Sequence, residues 1–128
     1  MCIRDRLTFV QEVKINGAII VSTPQDLALL EVKSGIQMFE KTGVKILGLI
    51  DNMSFFEGDD GKKYKIFGEG GVRKTAEEFK EEFLGHLPLI EELRISADAG
   101  EPLTYSKPDH KISKIFIGIA KKIKQSFL

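Results

Sequence analysis

Val44-Lys45-Ile46-Leu47-Gly48-Leu49-Ile50-Asp51-Asn52-Met53-Ser54 is a short, mostly apolar run, β-branched at Val44, Ile46 and Ile50, that stops at Asp-Asn. Such a run reads as a strand covered on both faces of a parallel sheet, with polar groups delivered at its carboxyl end. In open α/β sheets ligands bind at that end. Asn52 therefore stands where a nucleotide base can be read. The commoner role of an Asn there, turning the chain after a strand, stays open beside it.

Working outward, Ala18-Ile19-Ile20-Val21-Ser22 forms the preceding strand, after a turn at Asn16-Gly17. Thr23-Pro24 ends it and Gln25-Asp26 opens a helix. Leu29, Val32, Ile36 and Phe39 recur at three- and four-residue spacing, and Gly43 falls just past the end, where a left-handed cap belongs. Strand, amphipathic helix and strand make a βαβ unit with a right-handed crossover. Upstream, residues 7–13 read as a short helix. Residues 1–6 do not join naturally to that helix and read as a non-native or disordered tail, a frayed terminus being the plainer alternative.

Downstream, Asp60-Gly61 between aromatic and β-branched residues is a hairpin signal, expected to project as a flap from the sheet. Asp59 and Asp60 there are better explained by turn chemistry than by a divalent metal. Gly68-Glu69-Gly70-Gly71-Val72-Arg73-Lys74-Thr75 comes close to the phosphate-cradling G-x-x-x-x-G-K-[ST] loop, but Arg73 replaces the glycine that lets backbone N–H groups converge. Val72, Ala76, Phe79 and Phe83 form an apolar stripe, so a helix is expected to run through Arg73 and Lys74. The loop is read as a decoy. Phe83 to Leu87 form another strand closed by Pro88, residues 89–97 a short helix or loop, and a last helix starts near Ser106. That helix sets Ile112, Ile115, Phe116, Ile119, Ile123 and Phe127 opposite Lys114, Lys121, Lys122 and Lys124. It can lie on a membrane surface, though closing the sheet with its lysines in solvent is the stronger reading.

Bulk properties narrow the function. The 128 residues suffice for one modest domain. A net charge of zero gives no footprint for nucleic acid or for anionic membrane. No apolar run approaches the roughly 20 residues that span a bilayer, and the cytosol is the default compartment. Cys2 is the single cysteine, which excludes an internal disulfide or a self-contained multi-thiolate site. His86 and His110 lie far apart and suit surface or capping roles better than metal ligation. No side chains make a defensible nucleophilic triad, so no catalytic residue and no metal ligand is assigned.

Taken in order, residues 18–26, Leu47-Gly48-Leu49-Ile50-Asp51-Asn52-Met53-Ser54, Ile66-Phe67-Gly68-Glu69-Gly70-Gly71, Phe83-Leu84-Gly85-His86-Leu87-Pro88 and Asp98-Ala99-Gly100-Glu101-Pro102 resemble the Mrp/ApbC family of P-loop ATPases, iron–sulfur cluster carriers related to MinD and the nitrogenase iron protein. The resemblance implies a three-layer α/β sandwich of the SIMIBI type with a mostly parallel sheet. Residues 7–128 would be the C-terminal portion of the ATPase domain, missing its N-terminal P-loop half. It further implies a homodimer binding ATP and Mg²⁺, and apo iron–sulfur proteins as recipients, with no nucleic acid or membrane partner.

By the same resemblance Asn52 matches the asparagine that hydrogen-bonds the adenine edge, and Pro88 and Leu89 match the loop on the base's other side. Gln25 matches a position near the dimer interface. No residue matches a catalytic group, so this chain alone is expected to be inactive. Many members carry a C-x-x-C pair just after Asn-Met-Ser to bridge a cluster. Here Phe56-Glu57-Gly58-Asp59-Asp60-Gly61 has no cysteine, and carboxylates are poor replacements for soft thiolates. A MinD-type partitioning ATPase and a non-enzymatic interaction domain are the rival readings.

Overall fold

The computed structural model describes residues 3–127. Three parallel strands form its centre. Strand β1 (Ala18–Ser22) and strand β4 (Phe83–Leu89) flank strand β2 (Ile46–Glu57), so β2 is the middle one. Helix α2 (Asp26–Thr42) crosses from β1 to β2 and ends on Gly43 in the left-handed conformation, φ 73°. The expected βαβ unit and its cap are both present.

Alternation along β2 supplies the two cores. Leu49, fully buried, points to one face, where Val32 and Ile36 of α2 meet Val72 and Ala76 of helix α3 (Gly71–Glu78). Ile50 points to the other, against Ile119 of helix α6 (Lys111–Gln125), with Leu84 and Leu87 of β4. Ile115, Phe116 and Ile123 complete that second layer. The result is helix, sheet, helix. The apolar face of α6 is thus spent on the sheet, and Lys122 Nζ donates to the Leu84 carbonyl at 3.1 Å. Over β1 the α6 layer does not reach, and Ile19 and Val21 remain exposed.

Gly48 is required by close approach. A Cβ there would lie 2.5 Å from Leu84 Cγ and 2.9 Å from the Glu82 carbonyl oxygen. Adjacent to it the pairing slips, with Leu49 opposite Phe83 but Ile50 opposite Gly85. One extra residue, Leu84, is thereby accommodated in β4 as a bulge.

Several boundaries differ from the sequence reading. Helix α1 spans Ile3–Glu12, so residues 3–6, read as tail, are helical, and Arg6 pairs with Glu31 of α2. Met1 and Cys2 fall outside the described residues. Strand β2 does not stop at Asp-Asn but continues to Glu57. Residues 53–55 bulge out, Met53 at φ 53°, before pairing resumes at Phe56. The expected flap is therefore continuous with the sheet, since strand β3 (Lys63–Tyr64) pairs antiparallel with Phe56 and Glu57. Strand β4 runs through Pro88 to Leu89, and among the described residues it borders only β2, an edge position that tolerates a missing N–H. Helix α4 (Glu91–Asp98) matches the expected short helix, while the four-residue α5 (Leu103–Ser106) had no sequence signal and α6 begins only at Lys111.

Because Leu49 lies in the seam between β2, α2 and α3, Leu49→Ala should destabilise the chain by about 2–5 kcal/mol. Leu27→Ala, at a side chain 78 % exposed, should stay within about 0.5 kcal/mol. Urea denaturation followed by circular dichroism measures both. Equal losses would mean that the described core is wrong.

Candidate functional site

Asp51 pairs with Ser22, the last residue of β1, and Asn52 comes next at the rim where β1 has ended. Asn52 is half-buried. Its Oδ1 accepts the Met53 N–H at 3.0 Å, a bond that accompanies the positive φ of Met53 and leaves the amide NH₂ and one oxygen lone pair available. Across the ladder Asn52 pairs with Leu87, and Leu89 is the last residue of β4, so register brings these to one rim. Pro88 is buried within the strand rather than in a loop after it, and Leu89 is half-buried. Gln25 is exposed at the N-cap of α2, its side-chain oxygen 3.3 Å from the Thr23 hydroxyl. Gln25 thus lies just past β1 at the same end of the sheet.

The glycine-rich segment is explained by packing. A Cβ on Gly71 would sit 2.5 Å from Leu29 Cδ1 and 3.2 Å from the Pro24 carbonyl oxygen, and one on Gly68 would be 3.1 Å from that oxygen. Helix α3 then runs through Arg73 and Lys74, as expected. Thr75 Oγ1 donates to the Gly71 carbonyl at 2.8 Å and is buried, so the hydroxyl serves its own helix. At the hairpin tip Asp60 accepts from the Tyr64 hydroxyl at 2.6 Å and the Lys62 N–H at 3.0 Å, which holds its carboxyl below the ordinary value.

One arrangement has no counterpart in the sequence pattern. The Leu84 bulge turns His86 to the α3 face of the sheet, directly beside Asp51, its partner in register. Asp51 Oδ2 lies 3.1 Å from His86 Nδ1, while Oδ1 is buried and unpartnered among the described residues. Burial pushes the Asp51 carboxyl above the ordinary aspartate value, outweighing the opposing bond and charge from His86. The sequence reading gave His86 a surface or capping role, which fits instead His110: its Nδ1 accepts the Ile112 N–H at the start of α6. Only Gly85, a glycine inside a strand pattern, hinted at the bulge.

The family described as "ParA: NUBPL iron-transfer P-loop NTPase" matches residues 4–124. The chain belongs to this family. Among curated relatives, the iron-sulfur cluster carrier protein of Aquifex aeolicus is 40 % identical over 121 residues, covering 94 % of this chain and 33 % of its own length. The iron-sulfur cluster transfer protein NUBPL of Dictyostelium discoideum is 42 % identical over 118 residues, 91 % of this chain and 36 % of that protein. The chain therefore spans about a third of the curated relatives it matches. Of solved structures, a nucleotide-binding protein from Archaeoglobus fulgidus in complex with ADP superposes with a TM-score of 0.65 at 40 % identity, over 73 % of this chain and 39 % of that one. The cell-division ATPase MinD of Pyrococcus furiosus shares the fold, with a TM-score of 0.65 at 21 % identity over 86 % of this chain and 43 % of its own. The expected P-loop NTPase fold and the iron–sulfur carrier family are thus both established for this chain.

The Asp51 carboxyl fixes a sign for stability against pH. A folded value above the unfolded one means that the native state holds the proton longer, so stability falls as pH rises from the ordinary aspartate value, about 4, through the raised one. Asp51→Asn removes that contribution. Its stability relative to the unaltered chain should rise across this window and level off above it, as read by thermal melts at a series of pH values. A flat difference would contradict the assignment.

Proposed function

We propose that this chain is part of an ATP-dependent iron–sulfur cluster carrier, in which it supplies the adenine-side wall of the nucleotide site and part of a dimer surface. The observation that carries the reading is Asn52, set at the carboxyl rim of the sheet with a free NH₂ and an oxygen lone pair. An amide so placed can accept from a purine's exocyclic amine and donate to the neighbouring ring nitrogen. Leu89 lines the same rim, and Pro88 stiffens the strand beneath it. The ADP complex of the Archaeoglobus relative supports the ligand class.

The residues fit the base better than the triphosphate. Gly68 and Gly71 are packed against Pro24 and Leu29, and Gly70 turns the chain into α3 at φ 72°, so we assign the phosphate grip and the Mg²⁺ site to a part of the protein outside this chain. When bound, ATP would supply the phosphoryl group transferred to water. This chain's contribution is to orient the base and exclude water from one side of it. Gln25, exposed at the same end, is proposed at the dimer surface. The cytosol is the proposed compartment, and apo iron–sulfur proteins are the proposed recipients.

Cluster cargo needs soft ligands, and the hairpin offers Asp59 and Asp60, the second already bonded within its own turn. Anaerobic reconstitution of the purified chain with iron and sulfide should therefore leave it colourless after desalting. A stable brown species would show that other groups hold the cluster. In the protein extended upstream to include its phosphate loop, Asn52→Ala should weaken ATP binding roughly ten-fold, about 1.4 kcal/mol, measured by calorimetry. Unchanged affinity would remove Asn52 from the site.

A further inference from the structure

The two histidines differ in what their rings have left to offer. Both nitrogens of His110 are engaged, Nδ1 by the Ile112 N–H and Nε2 by the Glu92 carboxylate. His86 is engaged on one side only. Its Nδ1 lies 3.1 Å from Asp51 Oδ2, while Nε2 has no partner among the described residues and is not shut off from solvent. The His86 side chain is 42 % exposed and the Asp51 side chain behind it only 2 %. Phe83 meets the imidazole edge-on, with ring centroids 4.9 Å apart. A buried carboxylate and an aromatic edge thus hold this ring, and one nitrogen faces out.

An ionised carboxylate accepts hydrogen bonds and has none to donate, so Nδ1 carries the ring proton. A neutral ring protonated there presents a lone pair on Nε2. Such a nitrogen serves as a metal ligand or as a nucleophile. Among the described residues no three His, Cys, Asp or Glu side chains gather as a metal site requires. The surroundings suit an anionic adduct instead. His86 lines a cavity of about 380 Å³ together with Lys63, Lys65 and Arg73. Lys65 is paired with Glu69, but Lys63 and Arg73 make no ion pair with a carboxylate among the described residues. The Arg73 guanidinium lies 4.6 Å over Phe83, the same ring that meets His86 edge-on. A phosphoryl group carried on Nε2 would enter surroundings rich in cations.

We propose that His86 is a phosphoryl-acceptor site, with Nε2 as the nucleophile, Asp51 holding the ring, and Arg73 and Lys63 facing the added charge. The donor is a small activated phosphate, of the phosphoramidate or acyl phosphate class. With phosphoramidate, the Nε2 lone pair forms the new N–P bond as the donor's P–N bond breaks, and ammonia leaves with the protons it already carries. The ring keeps its Nδ1 proton and becomes a cation, which the Asp51 carboxylate neutralises. This site rests on the His86–Asp51 geometry and does not depend on the base-reading proposal.

The test is incubation of the chain with phosphoramidate at mildly alkaline pH, followed by ³¹P NMR and by mass spectrometry of its peptides. One acid-labile phosphoryl group should appear on His86, and at least about ten-fold faster than in the same chain unfolded in urea. Asp51→Asn keeps an acceptor for Nδ1–H but removes the charge, and should slow labelling at least about ten-fold. Arg73→Gln, on the exposed side of α3, should slow it several-fold in a chain that stays folded. Before any donor is added, long-range ¹H–¹⁵N correlation should place the His86 ring proton on Nδ1. A ring proton on Nε2 would overturn the proposal. So would a label carried by His110 or by lysines instead, a rate on His86 no faster than in the unfolded chain, or a rate that neither variant moves.

Discussion

A strand buried on both faces constrains everything around it. Its backbone groups must be satisfied by neighbouring strands, and its side chains must be covered by helices above and below. Leu49 and Ile50 face opposite ways and are both buried, which demands α2 and α3 on one side and α6 on the other. Once β1 and β4 pair with β2 in parallel, their carboxyl ends gather at one rim. The proposed site residues inherit their positions from that geometry. Asn52 pairs with Leu87, two residues before Leu89 along β4, and Gln25 lies at the same end of the sheet because β1 ends there.

Two irregularities turn this regular frame into something chemically specific. The Leu84 bulge puts His86 beside Asp51, and the bulge at residues 53–55 lets Ser54 and Phe55 line one cavity. Without the first, period-two alternation would aim His86 at α6, where Ile119 and Leu87 pack. In the hairpin after Asn-Met-Ser, Asp60 bonds within its turn, and Lys63 lies over Phe55.

Much of the fold was legible because it rests on local patterns. The apolar run ending in Asp-Asn, the stripe from Leu29 to Phe39, Gly43 as cap and Asp60-Gly61 as turn each announce their structure within a few residues. The helix through Arg73 and Lys74 was legible too, since the stripe through Val72 and Ala76 announces it. What was not legible depends on one-residue slips. A bulge shifts parity without changing composition, so the pairing of Asp51 with His86, 35 residues apart, had no pattern to betray it. Helix α5 is a single turn with no period to read, and β2 outlasted its apolar run because β3 continues the ladder for it.

The central claim is that Asn52, where β2 passes the end of β1, reads a purine. The most direct measurement is a crystal structure of the upstream-extended protein with ADP. The account predicts the adenine edge within hydrogen-bond distance of the Asn52 amide and the ring against Leu89. A base bound elsewhere, with Asn52 facing only solvent or Met53, would contradict it.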